Sequence, residues 1–210
     1  MGLASVFDLR TQLVFYGAYH SNSFNVAVHI ICVPILIWTF QVLSADIPLP
    51  SIFPSFHHQF NEYFAFEINF AFLQVIAYIA YYLILEPVAA VLYMPQAILS
   101  LLTSTAFSKR EDALVIAGFV HSISWIMQFI GHGFGEHRSP ALLDNLLGAV
   151  VLAPFFVHFE VLFKLGYRPE LHKQLTNDVG VEIARIRRAS AEKERRRQKA
   201  IAASEERRMQ

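Results

Sequence analysis

The sequence predicts an all-α, polytopic helical membrane protein with four or five spans and a charged C-terminal helical tail. Three observations carry that prediction. The chain has 210 residues, is 55% hydrophobic and 14% aromatic, and has a mean hydropathy of +0.41, which is too apolar for an average soluble domain. Five stretches approach the roughly 20 apolar residues that a helix needs to cross a hydrocarbon layer. The charges are segregated: residues 1–163 hold 4 Lys/Arg against 10 Asp/Glu, and residues 164–210 hold 13 against 7. A body so apolar and acidic is no nucleic-acid binder, and the single Cys32 excludes an internal disulfide framework and a cysteine-based zinc site.

The elements follow in order. No cleavable signal is expected at the start, because Asp8 and Arg10 fall where its apolar stretch would lie. Ser5 to Tyr19 mixes Asp8, Arg10 and Gln12 with Phe7, Leu9, Val14, Phe15 and Tyr16, which suits an amphipathic helix at the membrane interface. Ser21-Asn22-Ser23 supplies turn and capping residues, so a second helix starts near Asn22. The apolar stretches are Val26–Leu43, Phe66–Leu85, Val88–Phe107, Ala113–Phe134 and Ala141–Phe163.

Between the first two, Ser44–Phe60 carries Pro48, Pro50 and Pro54 and reads as a loop, with His57 and His58 solvated in it. Glu86-Pro87 leaves so little chain that the second and third stretches form either a very tight hairpin or one long kinked helix. Lys109, Arg110, Glu111 and Asp112 make a further loop. The organisation is a helical membrane domain over 1–163 and a basic tail over 164–210. The positive-inside rule places that tail in the cytoplasm. Val179 to Arg208 has helix-forming composition with interleaved charges, as a solvated helix has; contact with anionic lipid head groups is the competing reading.

Ionisable groups inside spans are costly and call for a function. Two groups stand out: His20, Asn25 and His29 at the start of the first span, and His121, Gln128, His132 and Glu136 along the fourth. Asn25 and His29 share a helical face, and so do His132 and Glu136, because residues four apart lie one above the other. Imidazole is the commonest metal ligand, and a His-x-x-x-Glu pair can place two ligands on one ion. Gly131, Gly133 and Gly135 weaken a continuous helix there and hint that the backbone opens.

Spacing sets limits on convergence. In an unbroken helix His20 and His29 would be about 13 Å apart on opposite faces, and only the turn at Ser21–Asn22 lets them meet. His121 lies eleven residues from His132, roughly 16 Å along a helix, too far for both to bind one ion directly. It therefore acts elsewhere, in an outer shell or at a substrate tail, unless the helix breaks. The alternative to a metal site is that these histidines bond to one another and to neighbouring carbonyls as interhelical glue in a non-catalytic lipid-binding or assembly module. The chain has no His-Glu-x-x-His helix, Gly-x-Ser-x-Gly turn, phosphate-cradling loop or dinucleotide fingerprint, which leaves mononuclear metal chemistry as the best-supported enzymatic reading.

Tyr16-Gly-Ala-Tyr-His20, then Asn25-Val-Ala-Val-His29, then Trp125-Ile-Met-Gln128-Phe-Ile-Gly131-His132 running into Pro140-Ala-Leu-Leu-Asp-Asn145, resemble the 2-hydroxy-palmitate dioxygenase family of the fungal endoplasmic reticulum over roughly residues 1–170. The resemblance implies an iron(II)-dependent dioxygenase of the endoplasmic reticulum membrane. With O₂ as co-substrate, such an enzyme shortens a 2-hydroxy fatty acid by one carbon in fatty acid alpha-oxidation, during breakdown of the phytosphingosine backbone of sphingolipids. By match of motif His20, His29 and His132 are the iron ligands, with His121 a further candidate. Asn25, Gln128, Glu136 and Arg138 are the candidate catalytic residues. A 2-hydroxy carboxylate is a chelator, and Arg138 is placed either as a charge-assisted partner of its carboxylate or as an interfacial anchor.

Overall fold

The computed structural model describes residues 3–136 and 148–209. Helices α1 (Leu3–Val6) and α2 (Leu9–Tyr19) form the N-terminal segment. Asp8 separates them: its carboxylate accepts the Thr11 amide at 3.0 Å and caps α2. The predicted single helix over Ser5–Tyr19 is therefore two. Helix α3 (Ser23–Ser44) starts where the turn residues place it, with the Asn22 side chain accepting from the amides of Phe24 and Asn25.

The proline-rich connection ends in strands β1 (His57–Gln59) and β2 (Ala65–Glu67), paired antiparallel with His58 opposite Phe66. The sequence reading had only a loop here, since three-residue strands leave too few positions for alternation to register. His57 is not simply solvated: its ring lies 3.2 Å from Glu67, which also pairs with Lys109 at 2.8 Å and so ties the hairpin to the loop after residue 108.

Helices α4 (Phe70–Leu85) and α5 (Pro87–Ser108) meet at Glu86, whose extended backbone reverses the chain. Of the two alternatives the structure takes the tight hairpin. The rings of Tyr82 and Tyr93 are 5.5 Å apart, whereas eleven residues of one helix would hold them about 16 Å apart. Pro87 occupies the first turn of α5, where no amide donor is needed. The Glu86 carboxylate accepts the Ala89 amide, the Tyr167 hydroxyl and the Arg168 guanidinium, fixing the hairpin to the turn before the last helix.

Helix α6 (Ala113–Ile130) runs without a break into a π-helical segment, Gly131–Glu136; a second π-helical segment, Gly148–Leu152, leads into α7 (Ala153–Lys164). The opening hinted at by the three glycines is thus a widened helical turn. Helix α8 (Pro169–Met209) spans 41 residues. Its first part is not solvated on all sides, for it packs against α2. Leu175 is buried, Arg10 pairs with Asp178 at 2.6 Å, and a Cβ on Gly17 would stand 2.7 Å from Val179.

Among the described residues three helices are long and apolar enough to cross a membrane: Ser23–Ser44, Pro87–Ser108 and Ala113–Glu136. A fourth is added if the pair Val150–Lys164 and Pro169–Ala202, bent by 119°, is one broken span. Four agrees with the lower of the two expected numbers; α4 has 16 residues and reaches about 24 Å at 1.5 Å per residue, and the start of the expected stretch Ala141–Phe163 lies outside the described residues.

Lipid tails are as apolar as leucine, so packing and interhelical hydrogen bonds hold such helices together. Accordingly Gln41 of α3 accepts from the hydroxyls of Ser100 and Ser104 on α5. Tyr82 stacks on Phe155 with ring centroids 4.3 Å apart and donates to the Val151 carbonyl.

Candidate metal centre

His20 closes the C-terminus of α2, and His29 lies in the second turn of α3. The break at Ser21–Asn22 turns these two helices so that their imidazoles meet, with ring centroids 4.4 Å apart. His132, in the π-helical segment after α6, completes the group at 4.8 Å from His20 and 5.0 Å from His29. One nitrogen of each ring lies within 4.8 Å of the others, and His29 and His132 are buried.

Local backbone sets the ring orientations. The Nδ1 of His20 is 2.9 Å from the Tyr16 carbonyl, and the Nδ1 of His29 is 2.9 Å from the Asn25 carbonyl. A carbonyl oxygen only accepts, so both Nδ1 atoms carry hydrogen and each Nε2 carries the lone pair. This carbonyl-held arrangement is the one that metal-ligating histidines use. Tyr16 adds a second constraint, its ring stacking on that of His20 at 3.9 Å and 16°.

The donor set fits a metal ion. Ligand nitrogens about 2.1 Å from one ion are at most about 4.2 Å apart, so the trio closes on an ion through small ring movements. Imidazole donors suit iron, zinc, copper or nickel. With three protein ligands among the described residues, open positions remain for other groups.

Glu136 does not join the trio. Its carboxylate accepts the backbone amides of Ser21 (2.6 Å) and Asn22 (2.7 Å) and the Ser21 hydroxyl (2.8 Å), with the Asn25 amide at 3.4 Å. It sits at the N-terminus of α3, where helix amides and dipole favour an anion, and it clasps the turn between His20 and His29. Asn25 is fully buried and bridges Glu136 to the Tyr19 carbonyl. Close approach needs glycine here: a Cβ on Gly131 would lie 2.6 Å from Asn25 Oδ1, and one on Gly135 would lie 3.1 Å from Asn25 Cβ.

His121 is not brought to the trio. The Trp125 indole donates to its Nε2 at 3.0 Å, which leaves Nδ1 as the protonated nitrogen, bonded to the Thr39 hydroxyl at 2.8 Å. Gln128 is buried one turn before His132 and lines a cavity of about 330 Å³ that also takes in the trio, Val33, Leu36, His121 and Trp125. Arg138 lies outside the described residues, as does the stretch from Pro140 to Asn145.

The sequence reading gave no role to Tyr16, Thr39, Gly131 or Gly135 as supports of the site. Tyr16 had a usable signal, its four-residue spacing from His20. Thr39 and the glycines act across helices, which no spacing along one segment reveals.

Comparison with known proteins gives the chain a family. The family model for Mpo1-like proteins, described as 2-hydroxy-palmitic acid dioxygenase Mpo1-like, matches residues 6–165. The 2-hydroxy-palmitic acid dioxygenase MPO1 of Saccharomyces cerevisiae is 35% identical over 181 residues, covering 86% of this chain and 94% of its own. No solved structure matches the chain.

Proposed function

The chain belongs to the Mpo1-like family, and from that premise we propose that it is an iron(II)-dependent dioxygenase that shortens 2-hydroxy fatty acids by one carbon. The observation that carries the reading is the trio of imidazoles, two of them buried, at one end of a mostly apolar cavity. The overall reaction balances without an outside reductant: a 2-hydroxy acid and O₂ give the acid one carbon shorter, carbon dioxide and water. Four electrons leave C1 and C2, and O₂ takes four.

Bound iron would supply a meeting place for O₂ and the chelating 2-hydroxy carboxylate. His20, His29 and His132 would hold it through Nε2 of the first two and one ring nitrogen of the third. The Tyr16 and Asn25 carbonyls keep two of those rings in the tautomer that presents a lone pair. Glu136 and Asn25 keep the turn that makes the rings converge. Gln128, facing the cavity next to His132, is the polar group placed to bond the substrate hydroxyl or carboxylate. Arg138 is assigned the neutralisation of that carboxylate.

The enzyme would work in the endoplasmic reticulum membrane, with its basic tail in the cytoplasm by the positive-inside rule, as a step in phytosphingosine breakdown. The test is to incubate the purified full chain with 2-hydroxypalmitate, iron(II) and O₂. Formation of a fifteen-carbon acid that depends on iron and on His132 supports the reading. A stable protein that holds no metal and forms no shortened acid would be the lipid-binding or assembly module instead.

A further inference from the structure

The cavity follows an antiparallel pair of helices. His29 faces His132 at one end, and Thr39 bonds His121 at the other, ten residues further along α3 and eleven back along α6. At 1.5 Å per residue both helices give the same separation, about 15–16 Å. Between these ends the lining is mostly apolar, with Val33, Leu36 and Ile37 from α3 and Trp125 and Phe129 from α6, and with Gln128 as the polar side chain nearest the trio.

The two ends differ chemically. At the trio, imidazole nitrogens with lone pairs face one another. In the Thr39–His121–Trp125 group each polar atom is already engaged: Trp125 donates to His121, His121 donates to Thr39, and the Thr39 hydroxyl donates to the Ile35 carbonyl at 2.8 Å. What that group presents to a ligand is carbon. A cavity with one polar and one apolar end takes an amphipathic chain in a single direction.

We infer that the Thr39–His121–Trp125 group is the seat of the substrate's hydrocarbon terminus and sets its length. An extended alkyl chain of 1.5-Å tetrahedral bonds advances about 1.25 Å per carbon, so the seam holds about twelve or thirteen carbons beyond the two at the trio. The preferred substrate is therefore a 2-hydroxy acid of about fourteen or fifteen carbons. This rests on the trio as the seat of the head group. It makes His121 a specificity-determining residue and gives a reason for an imidazole so far from the other three.

The chain has two tryptophans, and only Trp125 lines the cavity; Trp38 bonds Thr103 and packs on Phe107. Full-length Trp38→Phe protein therefore reports on Trp125 alone. Two brominated 2-hydroxypalmitates are added without iron, one with bromine near carbon 12 and one near carbon 4. The distal bromine is expected to quench Trp125 fluorescence several-fold more strongly, and unlabelled 2-hydroxypalmitate to relieve the quenching. Stronger or equal quenching by the proximal bromine, or quenching that unlabelled acid does not relieve, overturns the assignment.

A second measurement uses Leu36→Phe, which blocks the seam one turn nearer the trio. In competition among 2-hydroxy acids of ten to eighteen carbons, the preferred length is expected to fall by about four carbons, the span of one helical turn. An unchanged preference overturns the length rule. Distal quenching in a protein that never shortens the acid would sink the proposed activity and leave this placement standing; turnover with proximal quenching would do the reverse.

Discussion

Glu136 accepts both the backbone amide and the hydroxyl of Ser21, at 2.6 and 2.8 Å, across 115 residues of sequence. This clasp joins the segment that carries His132 to the turn that separates His20 from His29. A carboxylate one helical turn from a histidine is easily taken for its fellow ligand, but here it holds the scaffold on which the candidate ligands stand.

Removing that clasp should loosen the metal without removing a ligand. Glu136→Ala is expected to weaken iron affinity roughly 10- to 100-fold, the usual cost of losing an outer-shell partner. Glu136→Gln, which keeps one acceptor oxygen but loses the charge, should fall between Ala and the natural residue. Metal titration of purified protein checks this, and an affinity untouched in both variants would return Glu136 to a passive role.

The glycines of the π-helical segment should differ sharply from one another. A Cβ at Gly131 would meet Asn25 Oδ1 at 2.6 Å, while one at Gly133 meets nothing within 4 Å. Gly131→Ala is expected to cost about 1–3 kcal/mol of stability by overpacking and to lower iron occupancy. Gly133→Ala should be close to neutral on both counts. Thermal unfolding and iron content, measured together, separate the pair; equal effects would contradict the close approach.

The histidines divide in the same way. His132→Ala is expected to abolish stoichiometric iron binding with the fold retained. His121→Gln should keep the metal, since both nitrogens of His121 are used by Thr39 and Trp125. Loss of iron from the His121 variant at full folding would place that ring in the metal's own coordination sphere.

Acid should act on the N-terminal helix through its cap. The hydrogen bond from the Thr11 side chain, helped by backbone amides, holds the Asp8 carboxyl below its ordinary value. A carboxyl depressed in the folded state stabilises fully above its unfolded value, near pH 4, and the contribution fades as pH falls through the lower folded value. Exchange protection at the Thr11 and Gln12 amides is therefore expected to hold down to about pH 4 and then decline. In Asp8→Ala protein this pH dependence should vanish, with protection low throughout; a decline beginning near pH 6 would point to another group.

Much of the site was legible because the turn at Ser21–Asn22 is a local signal, and local signals survive in one sequence. His20 and His29 cannot meet on one helix, so a break between them was required, and the break is there. The spacing arithmetic likewise kept His121 away from His132. Glu136 was harder, since four-residue spacing shows which side of a helix a carboxylate occupies and not which neighbour it serves. Its partners are amides on another element, and amides leave no trace in composition. The number of spans was legible less sharply, for a related reason. Apolar composition marks α4 as buried or lipid-facing, but only its length of 16 residues decides whether it reaches across.

The packing of α8 on α2 makes the compositional border near residue 164 a poor place to cut. With Val179 too close to Gly17 for even a methyl group between them, and Arg10 gripping Asp178, the early part of the basic tail serves as the outer buttress of the helix that ends in His20. Anyone trimming the chain for crystallisation should preserve those first turns and begin shortening beyond Ile186, where the helix projects alone.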